Sequence, residues 1–125
     1  MRSISTDQAP QPRGHYAQAM VHNGLVFTAG QLPFDPETGA LVGESIEEQT
    51  RQALKNVAAV LAAAGAKMEH VIKVTIYVPD MAMWDGVNDT YAKFFGDHKP
   101  ARSVVPTAAL HGDVKIEVEA VAAVD

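Results

Sequence analysis

The chain has 125 residues, 47% of them hydrophobic, which is enough for one domain (1–125) with a real core and excludes a disordered chain. Its formal net charge is −5 and its ten Lys and Arg residues are scattered, which argues against a nucleic-acid surface. There is no cysteine, and the five histidines show no HxxxH or HxH spacing, so neither a disulfide nor a zinc site is expected.

No basic stretch followed by an apolar segment opens the chain, and no apolar run is long enough to span a membrane. A soluble, cytoplasmic protein is the expectation. Residues Met1 to Gly14, with Pro10, Pro12 and Gly14, read as a loop or arm rather than a core element. Tyr16 to Val21 allows a strand, and Leu25 to Ala29 a second one. Asn23-Gly24 between them predicts a type I′ hairpin, whose two central residues both need positive φ. Gly30 to Gly43, with Pro33, Pro36 and Asp35-Pro36-Glu37-Thr38-Gly39, is a long turn-rich loop of the kind that borders a site or an interface.

Ser45-Ile46-Glu47-Glu48 is a capping box opening a helix to Ala64, stopped by Gly65. Ile46, Ala53, Leu54, Val57, Val60, Leu61 and Ala64 form its apolar stripe, and Arg51 and Lys55 face water. Val71 to Val78 reads as a central strand, with Ile72, Val74, Ile76 and Val78 on an apolar face and Val71, Lys73, Thr75 and Tyr77 on a mixed one. Asp80 can cap a second helix carrying Trp84, Val87, Tyr91, Phe94 and Phe95 inward and ending at Gly96. A strand beginning near Arg102 then completes a strand–helix–strand crossover, so it runs parallel to Val71–Val78. Pro106 marks an edge or a bulge. A last strand, with Val114, Ile116, Val118 and Ala120 on one side and Lys115, Glu117 and Glu119 on the other, gives the order β-β-α-β-α-β-β. The expected fold is α+β, with both helices on one face of the sheet. The other face carries Val, Tyr and Thr among its charges, which suggests burial against further subunits.

Arg102 is the arginine hardest to place structurally. It follows Pro100-Ala101 at a strand start, where it could be a solvated edge charge. If its strand pairs with the last one, its guanidinium shares a neighbourhood with Glu117 and Glu119. Such a grouping suits a small anion: guanidinium binds a carboxylate through two parallel hydrogen bonds, and a carboxylate can orient water or move protons.

The chain resembles the reactive intermediate deaminases, the RidA or YjgF family formerly called endoribonuclease L-PSP. The carriers are Gly14-His15-Tyr16 with Gln18, Phe27 to Pro33, Asp35 to Gly39, Glu48 to Leu54 with Asn56, Val87-Asn88 with Tyr91, Phe94 and Phe95, Pro100 to Ser103, and Ile116 to Ala120. The resemblance implies a chorismate-mutase-like homotrimer with sites between subunits. It implies hydrolysis of enamines and imines such as 2-aminoacrylate, 2-iminopropanoate and 2-iminobutanoate to 2-keto acids and ammonia, without a cofactor. By the same resemblance Arg102 binds the substrate carboxylate and Glu117 positions water. Tyr16, Asn88 and the backbone around Ala29, Gly30 and Val104 line the cleft.

Three positions depart from the family pattern. Ala29 stands where serine is usual, Val104 where cysteine is common, and His15 where proline is frequent, which leaves the preferred substrate open. Tyr16, Asn88 and Glu119 each also have a plain structural reading, and His111 reads as a loop residue. The alternatives to an imine deaminase are a non-catalytic trimeric binder of small carboxylates, a pathway-specific deaminase of a catabolic route, and an RNA-cleaving protein, the last disfavoured by the acidic charge.

Overall fold

The computed structural model describes residues 1–124. Among these, six strands form one sheet: β1 (Arg2–Ile4), β2 (Ala19–His22), β3 (Leu25–Thr28), β4 (Val71–Val78), β5 (Ala101–Pro106) and β6 (Glu117–Ala123). The helices α1 (Ile46–Ala63) and α2 (Trp84–Phe95) pack on one face. The sheet is mixed, in the order β1-β2-β3-β6-β4-β5. The expected α+β class and the helix placement hold.

Local chemistry explains most elements. Asn23 and Gly24 take φ of 51° and 75°, the mirror-image turn that joins β2 to β3. Ser45 Oγ accepts from the Glu48 amide at 3.1 Å, and the Glu48 carboxylate returns to the Ser45 amide at 3.4 Å. The Ser45 hydroxyl also donates to the Glu48 carboxylate at 3.0 Å, and this bond, followed by the one from the Ser45 amide, holds the Glu48 carboxyl below its usual pKa. The stripe Ala53, Leu54, Val57, Val60, Leu61 is buried against Val74, Ile76, Val118, Ala120 and Ala122, while Arg51 and Lys55 are exposed. β4 and β5 are parallel, and β5 with Pro106 is the sheet edge.

Five expectations need correction. The arm contains a strand: Arg2–Ile4 pairs with β2, and Ile4 reaches the core. Three residues are too few for a periodic signal, and only the β2 edge makes them a strand. β2 starts at Ala19 rather than Tyr16, because a turn closed by the Tyr16 amide on the Gly14 carbonyl (3.1 Å) precedes it. Ile72 is 48% exposed and Val71 buried, since a β-bulge between Val71 and Lys73 shifts the alternation at the strand start. Asp80 caps a short 3₁₀ turn (Met81–Met83) that leads into α2 rather than α2 itself, and Trp84 at the head of α2 is 37% exposed. Finally, the condition under which Arg102 would share a neighbourhood with Glu117 and Glu119 is not met, because β5 does not pair with the last strand. β6 is inserted between β3 and β4, where its Val118, Ala120 and Ala122 are buried.

Candidate active site

Two regions collect the residues that the sequence singled out. The first lies at the sheet edge. Arg102 on β5 pairs with Val74 of β4, so it points to the face that the helices cover. There its guanidinium lies 4.6 Å from the Tyr91 ring centre and 5.7 Å from that of Trp84. These are cation–π distances that fix the fork without neutralising it. Asn88, one turn before Tyr91, joins Arg102, His98 and Lys99 around a cavity of about 410 Å³ that, among the described residues, no acidic side chain lines. Val104 follows two residues on, on the same face, with its side chain packed on the core. Its backbone lies along the sheet's free edge.

The Tyr91 hydroxyl is buried without a partner among the described residues, and burial pushes its pKa up to about 12 against the opposing pull of Arg102. The sequence pattern placed Trp84 and Tyr91 in the core. Their spacing of seven, two helical turns, was the available signal that both rings share one side of α2.

The second region lies on the other face. Glu117 pairs with Tyr77 and Glu119 with Thr75. Tyr77 is three residues beyond Val74 on β4, so its side chain and that of Glu117 point away from the helices. The Tyr77 hydroxyl donates to Glu119 at 2.5 Å, which raises the tyrosine's pKa. Burial, and secondarily the charge of Glu119, raise the Glu117 carboxyl above its ordinary value. The Glu117 carboxylate lies against Gly30, in the space where a β-carbon of residue 30 would stand. Ala29 precedes it, half-buried, its amide on the Gln18 carbonyl at 2.8 Å. Gly30 and the 54% exposed Tyr16 also line a cavity of about 350 Å³.

Buried amides hold these loops. Asn56 on α1 donates to the carbonyls of Leu32 and Phe34, both at 2.9 Å. Gln49 donates to Gly43 at 3.2 Å and accepts from the Lys115 amide at 2.8 Å, tying the loop before α1 to the entrance of β6. Gln18 accepts from the Thr6 amide at 2.7 Å and donates to Thr6 and Pro10 carbonyls at 3.0 and 2.9 Å, which fastens the arm.

Within one chain, therefore, Arg102 and Asn88 share a cavity, with Val104 on the same strand face but outside that lining, while Glu117, Ala29 and Tyr16 each adjoin Gly30, and the two groups do not meet. Arg102 and Glu117 lie two strands apart, roughly 10 Å across the sheet, and three residues apart along it, again roughly 10 Å. They project from opposite faces. His111, read from sequence as a plain loop residue, stands in the wall of the Tyr16 cavity with Arg13. No local pattern announces that meeting, because it depends on how two distant loops fold.

Residues 6–124 match the family described as endoribonuclease L-PSP. A RutC family protein of Pyrococcus horikoshii is 48% identical over 119 residues, 95% of this chain and 94% of that protein. The 2-iminobutanoate/2-iminopropanoate deaminase of Salmonella typhimurium is 45% identical over 124 residues, 97% of this chain and 96% of that one. The crystal structure of E. coli TdcF with bound serine superposes with a TM-score of 0.94 at 37% identity, covering all of both chains. By sequence and by fold, this chain belongs to the endoribonuclease L-PSP family, the RidA or YjgF family.

Proposed function

We propose that the protein is a hydrolytic deaminase that converts 2-imino acids and their enamine tautomers, such as 2-aminoacrylate, 2-iminopropanoate and 2-iminobutanoate, to 2-keto acids and ammonia. The observation that carries this reading is the near-full-length match to a relative named for that activity, in a chain that keeps both Arg102 and a half-buried Glu117. Arg102 takes the substrate carboxylate. Glu117 holds a water and draws a proton from it as its oxygen bonds to C2. The nitrogen gains protons, the C–N bond breaks, ammonia leaves and the C2 carbonyl closes. The imine carbon is already electrophilic, so placement does most of the catalysis. A carboxyl with a raised pKa is the better base near neutrality.

Because Arg102 and Glu117 leave one chain on opposite faces, a site using both draws them from two copies. The open sheet face supports such an assembly: Phe27 is 45% exposed and pairs with Met20 and Val121 across the strands. We assign a closed homotrimer, with sites between subunits. The test is complementation. Arg102→Ala and Glu117→Gln chains, each inactive alone, are unfolded together and reassembled. A site shared between neighbours in a ring restores about one quarter of wild-type activity by random mixing. A site within one chain restores none.

The serine in the TdcF structure favours a second reading, in which the cleft holds a small carboxylate without turning it over. Ammonia release from freshly generated 2-iminopropanoate separates the two. RNA cleavage is the weaker reading, given the net charge of −5 and scattered basic residues.

A further inference from the structure

The cavity beside Gly30 is larger than a methyl or ethyl side chain needs. Within one chain this half-open cleft measures about 350 Å³, whereas an enclosed apolar cavity of about 150 Å³ is enough to take up benzene. Pro10, Tyr16, Leu32 and Phe34 give it apolar walls beside a polar side that includes Arg13 and Gln31, and among the described residues no Asp or Glu lines it. Arg13 braces it: the guanidinium lies 4.8 Å from the Phe34 ring centre and donates to the Gly39 carbonyl at 3.3 Å. The wall at Leu32 and Phe34 is fixed from behind, since Asn56 holds both their carbonyls. The cavity is thus built into the fold rather than left between loose loops.

Its position relates it to the chemistry. Gly30 lines the cavity and also abuts the Glu117 carboxylate. The Glu117 carboxylate itself fills the place that a residue-30 side chain would take, so only the Gly30 backbone lies between that carboxylate and the cavity. A reacting carbon held at Glu117 is then a direct neighbour of the cavity wall at Gly30.

Resting on the deaminase reading above, we infer that this cavity is the substrate's side-chain subsite, and that it selects 2-imino acids with a large apolar side chain, aromatic rings included, over those with methyl or ethyl. Apolar walls reward each buried carbon, and one methylene in such a pocket is worth roughly 10-fold or more in kcat/KM.

The experiment uses the full chain and imines made in situ by an L-amino-acid oxidase from alanine, 2-aminobutyrate, leucine, methionine and phenylalanine. Keto-acid release gives kcat/KM for each. Calorimetry with phenylpyruvate and pyruvate, the stable products, reports binding independently of turnover. The phenylalanine-derived imine is expected to exceed 2-iminopropanoate by at least about 10-fold, and phenylpyruvate to bind more tightly than pyruvate. Leu32→Trp, which fills the cavity, should lower that preference by a similar factor. His111→Trp, a change at an exposed loop residue that the fold tolerates more readily, serves as the second filling variant. Hydrolysis of 2-iminopropanoate at least as fast as the aromatic imine, with the ratio unmoved by both variants, overturns the subsite and leaves the deaminase standing. Failure to hydrolyse any imine removes the deaminase reading and this inference with it.

Discussion

Gly30 and Glu117 are in such close contact that a β-carbon on residue 30 would fall on the Glu117 carboxylate. Gly30→Ala must therefore displace that carboxylate. The expected result is a loss of imine hydrolysis of 10-fold or more, by the misplacement of a catalytic group, with the chain still folded. Circular dichroism and keto-acid release measured on the same sample check this. Wild-type turnover in Gly30→Ala would show that the position of Glu117 is unimportant.

Arg102→Ala should lose about 2–5 kcal/mol of transition-state binding, which is about 30-fold to several thousand-fold in kcat/KM. Arg102→Lys should recover little, since an ammonium lacks the planar fork and stacks poorly on Tyr91. Calorimetric binding of pyruvate should weaken in parallel. Unchanged hydrolysis and binding would make Arg102 the edge charge that its strand position also permits.

Glu117→Gln should lower turnover more than keto-acid binding, and it carries a stability signature. Burial raises the folded-state pKa of Glu117 above its unfolded value, so the ionised carboxylate opposes folding at neutral pH. That penalty disappears as pH falls through the raised pKa toward the ordinary glutamate value of about 4.3. The Gln variant should melt above wild type at pH 7, and the difference should shrink as pH is lowered into that range. For the same reason the acid limb of wild-type kcat/KM should lie above the ordinary carboxylate range. Melting curves across pH decide it, and a Gln variant less stable than wild type at pH 7 contradicts the assignment.

Tyr91→Phe removes a buried hydroxyl that has no partner. It keeps the ring beneath Arg102, so stability should stay within about 0.5 kcal/mol or rise. Asn56→Ala is the opposite case. It strips the donor from two loop carbonyls and should cost roughly 1–3 kcal/mol. Denaturant unfolding of both variants tests the contrast, and equal effects would deny the clamp role of Asn56.

What could be read from the sequence was local. A Ser45–Glu48 capping box, the positive-φ pair Asn23-Gly24 and the apolar stripe of α1 are set by contacts within a few residues, so residue type and spacing suffice. The site candidates were legible through family resemblance, and the structure brings them together as two clusters. The tertiary structure decided what depends on distant partners. It turned Arg2–Ile4 into a strand through the edge of β2 and rotated Ile72 outward through a bulge. It placed β6 between β3 and β4, where antiparallel partners on both sides bury Val118 and Ala120. The registers of β5 and β6 against β4 send Arg102 and Glu117 to opposite faces, a relation that no spacing along the chain encodes. A residue's parity fixes its face only once strand order and register are set, and those follow from burying the whole apolar face at once.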